Sequence, residues 1–207
     1  MLIELLGSVT LNVSLCLYCI VYWPQLMHNK KSSNLLQLNL RLHALLYLSY
    51  ALDLFYGFAM NLSWQYRFVS VLSMSYVLLQ HVQLIGLYWR INRKLVLGKC
   101  LVLVAHLWII FLFFVTMQMH LSSTLAFWIS LVSRMCGLIY GIPQILQQKK
   151  LLLAQAINPM FINVSLCLSV LDTTSAWCLN WGWPNKLASI LVIAMMCILK
   201  YQAHAYG

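Results

Sequence analysis

The sequence predicts an all-α membrane protein of seven transmembrane helices, built as two parallel three-helix repeats joined by a linker helix (3+1+3). Three observations carry that expectation. The 207-residue chain is 63% hydrophobic and only 8% charged, where soluble domains carry about 25% charged residues. Apolar stretches long enough to cross a bilayer, roughly 20 residues each, recur along its length. A single shift of 119 positions also lays one half of the chain over the other without a gap.

The seven stretches fall at about 5–27, 38–60, 66–89, 96–117, 121–146, 157–180 and 186–206, which leaves no room for a soluble domain. The first carries Glu4 and lacks the basic leader and small-residue cleavage site of a removable signal peptide, so it reads as a mature helix. The net charge of +10 is concentrated: Lys30, Lys31, Arg90, Arg93, Lys94, Lys99, Lys149 and Lys150 lie in or beside the loops after segments one, three and five. Arg67 and Lys186 alone mark the loops after segments two and six. The positive-inside rule then puts the N-terminus outside or in a lumen and the C-terminus in the cytosol. The basic excess is thereby explained by topology and by attraction to anionic lipid heads, and no nucleic-acid partner is expected.

The repeat rests on rare residues, because leucines match by chance. The shift pairs Pro24 with Pro143, Gln25 with Gln144, Lys30-Lys31 with Lys149-Lys150, and Asn39 with Asn158. It also pairs Asp53 with Asp172, Asn61 with Asn180, Trp64 with Trp183, Ser70 with Ser189 and Gln83 with Gln202. Expected boundaries are residues 1–94 for the first repeat, 95–119 for the linker helix and 120–207 for the second repeat. Three spans reverse orientation, so one extra span is needed to make the two triplets parallel. In parallel repeats the solute site is expected near the midplane, where the halves meet. Segment four, with only His106 and Thr116 as polar side chains, suits a lipid-contacting linker.

Asp53 and Asp172, two of the three acidic residues, lie inside apolar segments, each 29 positions after a Pro-Gln pair. A carboxylate in a membrane segment is expensive and marks a functional site by default. Each is able to exchange a proton during transport, to hold a cationic group of a solute, or to make a structural bond. At 100° per residue, Asn39, His43, Tyr50, Asp53 and Gly57 share one face. The matching stripe is Asn158, Ser165, Ser169, Asp172 and Ala176, with Ser14, Tyr18 and Gln25 on segment one, and Ser133, Gly137, Tyr140 and Gln144 on segment five. These stripes line a substrate or proton pathway, or glue helices together. Arg134, well inside segment five, is expected to pair with Asp172 or to clamp a substrate carboxylate. Pro24 and Pro143 each remove a backbone donor near a helix end and are candidate hinges, or simple helix stops. Cys16 and Cys19 form a C-x-x-C with no second thiol pair or histidine cluster, so packing is the expected role, and no metal or cofactor is expected. Asn61-Leu62-Ser63 is a glycosylation sequon on the expected outer side.

Pro24-Gln25 with Lys30-Lys31, and Pro143-Gln144 with Lys149-Lys150, set in a 3+1+3 pattern, resemble the PQ-loop family over the full chain. That group includes cystinosin-type lysosomal amino-acid exporters, SWEET sugar carriers and, more remotely, KDEL receptors. The resemblance implies a carrier of small solutes working by alternating access, with the prolines as hinges, often proton-coupled, in a lysosomal or vacuolar membrane, or an inner membrane in bacteria. In the cystinosin branch the proton-linked Asp lies closer to its Pro-Gln pair, where this chain has Leu46 and Ser165. The second loop also departs, with Leu151-Leu152-Leu153 where the first has Ser32-Ser33-Asn34.

The expected function is therefore transport of a small polar solute, an amino acid first and a sugar second. A cargo receptor and a lipid scramblase are the alternatives on the same scaffold. An enzyme is not expected, because no nucleophile, base and orienting residue cluster together.

Overall fold

Among the described residues, six helices form where the hydropathy pattern puts six of the seven apolar stretches: α1 (Leu2–His28), α2 (Leu40–Ala59), α3 (Trp64–Ile91), α4 (Ser123–Leu151), α5 (Pro159–Cys178) and α6 (Trp183–Ala205). The computed structural model describes residues 2–30, 40–91, 100, 123–151 and 157–205. Apart from Cys100, the segment at 96–117, with its His106 and Thr116, lies outside the described residues, as does Asn39, expected on the pathway. For His43, Tyr140, Pro143 and Gln144 the description covers the backbone alone.

The protein is all-helical over the described residues, and four helices are long and apolar enough to cross a membrane: α1, the Trp64–Leu87 part of α3, α5 and α6. Two shorter apolar runs, Leu45–Ala59 and Thr124–Ile139, lie within α2 and α4. Their surfaces are apolar. Leu2 is 79% exposed, Trp23 59% and Trp177 57%, a pattern that suits lipid contact rather than water.

Helix ends follow local chemistry. Asn158 caps α5, its side chain accepting from the Met160 amide at 2.8 Å, with Pro159 at the first helical position. The turns after α2 and α5 are built alike. Asn61 and Asn180 adopt φ of 47° and 50°, the left-handed region that asparagine tolerates better than most side chains. In the first turn the Asn61 amide donates to Phe58 and that of Leu62 to Gly57; in the second, Asn180 donates to Trp177 and Trp181 to Ala176. This is the Schellman closure, which satisfies carbonyls left over at a helix end. Arg67 then sits 4.9 Å from the Phe58 ring centre and Lys186 5.0 Å from that of Trp177, a cation–π contact at each turn. Every one of these partners is matched by the shift of 119.

Contacts divide the chain into two compact units, Met1–His28 with Gly141–Gly207, and Asn29–Tyr140. In the first, α1 packs on α5 and α5 on α6, around Ile157, Ile162 and Leu199. In the second, α2 packs on α3, around Tyr47, Ala51, Leu54, Met74 and Val77. Gly7 of α1 permits the first packing, since a Cβ there would stand 2.8 Å from Cys178 Cβ and from Leu179 Cγ. The helices run on past both prolines, α1 to His28 and α4 to Leu151, so neither Pro24 nor Pro143 acts as a simple stop.

Candidate functional site

Both buried-segment aspartates are centres of polar networks, one in each unit. In the unit Asn29–Tyr140, Asp53 is 8% exposed. Tyr66 donates to its Oδ1 at 2.5 Å and Ser70 to its Oδ2 at 3.3 Å. Arg134 Nη2 makes a salt bridge to Oδ1 at 2.5 Å and donates to the Tyr66 hydroxyl at 2.6 Å. A charged carboxylate in apolar surroundings is tolerable when it is ion-paired and its remaining lone pairs are hydrogen-bonded. Asp53 meets that condition.

Arg134 makes an ion pair with Asp53, a partner that the sequence expectation of Asp172 or a substrate carboxylate did not name. The cause is helix packing. Ser49 of α2 donates to the Ser133 carbonyl at 2.7 Å and Ser133 returns a bond to the Ser49 carbonyl at 2.7 Å. That pair fastens α4 to α2 one residue before Arg134. Gly137 lies a turn further on, where a Cβ would come 3.4 Å from Ser49 Oγ, so the two helices run close. Tyr66 has a matching requirement, because a Cβ on Gly57 would meet its ring at 2.9 Å.

In the other unit, Asp172 is half-buried and receives hydroxyls from α1. Ser14 donates to Oδ1 at 2.5 Å and Tyr18 to Oδ2 at 2.6 Å. One turn towards the N-terminus of α1, Thr10 and Ser175 share a hydroxyl pair at 2.8 Å. Ser165 and Ser169 are buried on the same helix as Asp172. Further along, the Gln25 side chain accepts from the backbone amide of Asn158 at 3.0 Å. The glutamine after the helix-internal proline thus ties α1 to the capped start of α5.

Asp53, Gly137 and Arg134 come together in one unit, with Tyr50 packed against the same helix core. Asp172, Ser165, Ser169, Asn158, Gln25 and Pro24 fall in the other. Tyr66, Ser70 and Ser49 are partners that the aspartate-centred reading passed over, while Ser133 stood on its segment-five stripe without a partner named. A signal existed for one of the missed residues: the shift pairs Ser70 with Ser189. Cys16 and Cys19 are exposed on α1, outside the buried core where packing was expected. Asn61 of the sequon is exposed in its turn.

Comparison with protein-family models, curated proteins and solved structures finds no match.

Proposed function

We propose that the protein is a membrane carrier of the PQ-loop type that moves a small polar solute, an amino acid first, by alternating access coupled to protons. In this reading seven spans form two parallel three-helix repeats about a linker helix, with the N-terminus outside and the C-terminus in the cytosol. Pro24 and Pro143 are the hinges. The stripes around Asp53 and Asp172 line the route of solute and proton.

The observation that carries the reading is the pairing of Asp172 with two hydroxyls. A hydroxyl both donates and accepts, whereas a guanidinium only donates. Ser14 and Tyr18 are able to keep hold of Asp172 whether it is a carboxylate or a carboxylic acid. Asp53 also receives two hydroxyls, from Tyr66 and Ser70, but it is ion-paired to Arg134 as well, and protonation would forfeit that pair. In this account Asp172 is the group that loads and releases the proton, and Asp53 is the fixed counterpart.

The test is uptake of radiolabelled amino acids and sugars into liposomes holding the purified protein, with and without a pH gradient. Amino-acid uptake accelerated by an inward proton gradient supports the reading. Sugar uptake indifferent to pH would move the assignment to a facilitator. Labelled lipids flipping while no soluble solute moves would replace the carrier with a scramblase.

A further inference from the structure

Asp172 lies between two closures of the seam that α1 makes with α5. Towards the C-terminus of α1, Val21 and Tyr22 are buried and Gln25 accepts from the Asn158 amide at 3.0 Å. Towards its N-terminus, Thr10 and the fully buried Ser175 join hydroxyls at 2.8 Å. Next along, Gly7 brings α1 against Cys178 and Leu179. Pro24, a proposed hinge, falls in the first closure, and the second contains no proline. Its freedom to move has another source. Four α5 hydroxyls donate to the carbonyl four residues earlier: Ser169 to that of Ser165 at 2.8 Å, Thr173 to Ser169 at 2.6 Å, Thr174 to Val170 at 3.0 Å and Ser175 to Leu171 at 3.0 Å. Such bonds compete with the helix ladder for its carbonyls and favour bending. Under the shift of 119 these four residues match Tyr50, Leu54, Phe55 and Tyr56 of α2, none a serine or threonine, and Thr10 matches Ile129. Neither feature has a counterpart at the matched positions.

We propose that the outer end of α5 is a gate over Asp172. The helix bends across residues 169–175, the Thr10–Ser175 bond breaks and Cys178 swings away from Gly7, which opens Asp172 to the outer side. The gate rests on the carrier reading and its orientation, and supplies the device by which the outer solution reaches the proton-carrying carboxylate. Its strength suits reversible opening. One side-chain hydrogen bond between helices in a membrane shifts an equilibrium by roughly threefold, so breaking the hydroxyl pair is a small step. Gly7 adds close contact with no side chain to disengage.

Two readouts on the full-length protein in liposomes test it. Combining Thr10→Cys with Ser175→Cys puts sulfurs where oxygens already lie 2.8 Å apart, close to the length of about 2.05 Å that a disulfide needs. Oxidation of that double variant should abolish proton-driven amino-acid uptake, measured against the wild type under the same oxidant, and reduction should restore it. The second readout needs no transport. Cys178 is labelled with a membrane-impermeant maleimide and its modification is followed by peptide mass. Thr10→Val, which keeps the shape and removes the hydroxyl, should raise the labelling rate roughly threefold, whereas Thr10→Ser should label as the wild type does. Uptake that survives oxidation overturns the proposal, as does equal labelling of Cys178 in Thr10→Val and the wild type. A wild type that moves no solute would instead refute the carrier reading, and the labelling would still decide whether the seam opens.

Discussion

Asp53 and Asp172 hold matching places in the sequence repeat, and the side chains that meet them do not match. Arg134, which pairs with Asp53, corresponds under the shift to Leu15. Tyr18, which donates to Asp172, corresponds to Gly137. Tyr66, donating to Asp53, corresponds to Asn185, and the Gly57 that makes room for its ring corresponds to Ala176. Large residues and the small ones that accommodate them have changed together. The turns beyond the two aspartates kept their build: each has a left-handed asparagine, the same closure and a cation over an aromatic ring, Arg67 on Phe58 in one and Lys186 on Trp177 in the other. A conserved frame around two differently furnished carboxylates separates what holds the helices from what the polar groups do.

The largest expected effect follows from that difference. Arg134→Ala leaves Asp53 in its pocket without its cation, and removing one partner of a buried ion pair costs about 3–5 kcal/mol. Asp172→Asn keeps an acceptor for a hydroxyl and should cost far less. Thermal melting in detergent checks the ordering, and equal losses would erase the distinction between the two units.

Packing comes next. Gly7→Ala drives a methyl into Cys178 and Leu179, with an overpacking cost of about 1–3 kcal/mol. The corresponding position in the other half, Ala126, is already a buried alanine. A melting temperature unchanged by Gly7→Ala would show that α1 and α5 are less closely packed than described.

The frame itself supplies a control. Asn61→Ala and Asn180→Ala should each cost about 1 kcal/mol, since alanine is disfavoured in the left-handed region, while the glycine variants should be tolerated. Different costs at the two turns would deny their equivalence. The smallest effect is Tyr18→Phe, which deletes one hydroxyl bond between helices and should cost about 0.6 kcal/mol in a membrane. Its stability loss should be near the limit of detection, whereas proton-driven uptake should change clearly.

Much of this was legible in the chain. Leucine-rich stretches placed six helices, because long apolar runs have few other ways to satisfy their backbone in lipid. The rare-residue matches exposed the repeat and singled out both aspartates. What the sequence left open was the partner of Arg134. The two aspartates sit in matched sequence surroundings, so no spacing argument singles out Asp53 as its neighbour. The serine pair Ser49–Ser133 decides it, and serines are too common in such helices to stand out. The asparagines at 61 and 180 were visible as a matched pair, yet their backbone role becomes evident only from φ.

The most direct test of the central claim compares proton-driven uptake with solute exchange in liposomes for Asp172→Asn. The account predicts that driven uptake is lost while exchange at equal pH persists, because the variant still binds solute but no longer carries a proton. Equal loss of both activities, or full retention of both, would contradict it.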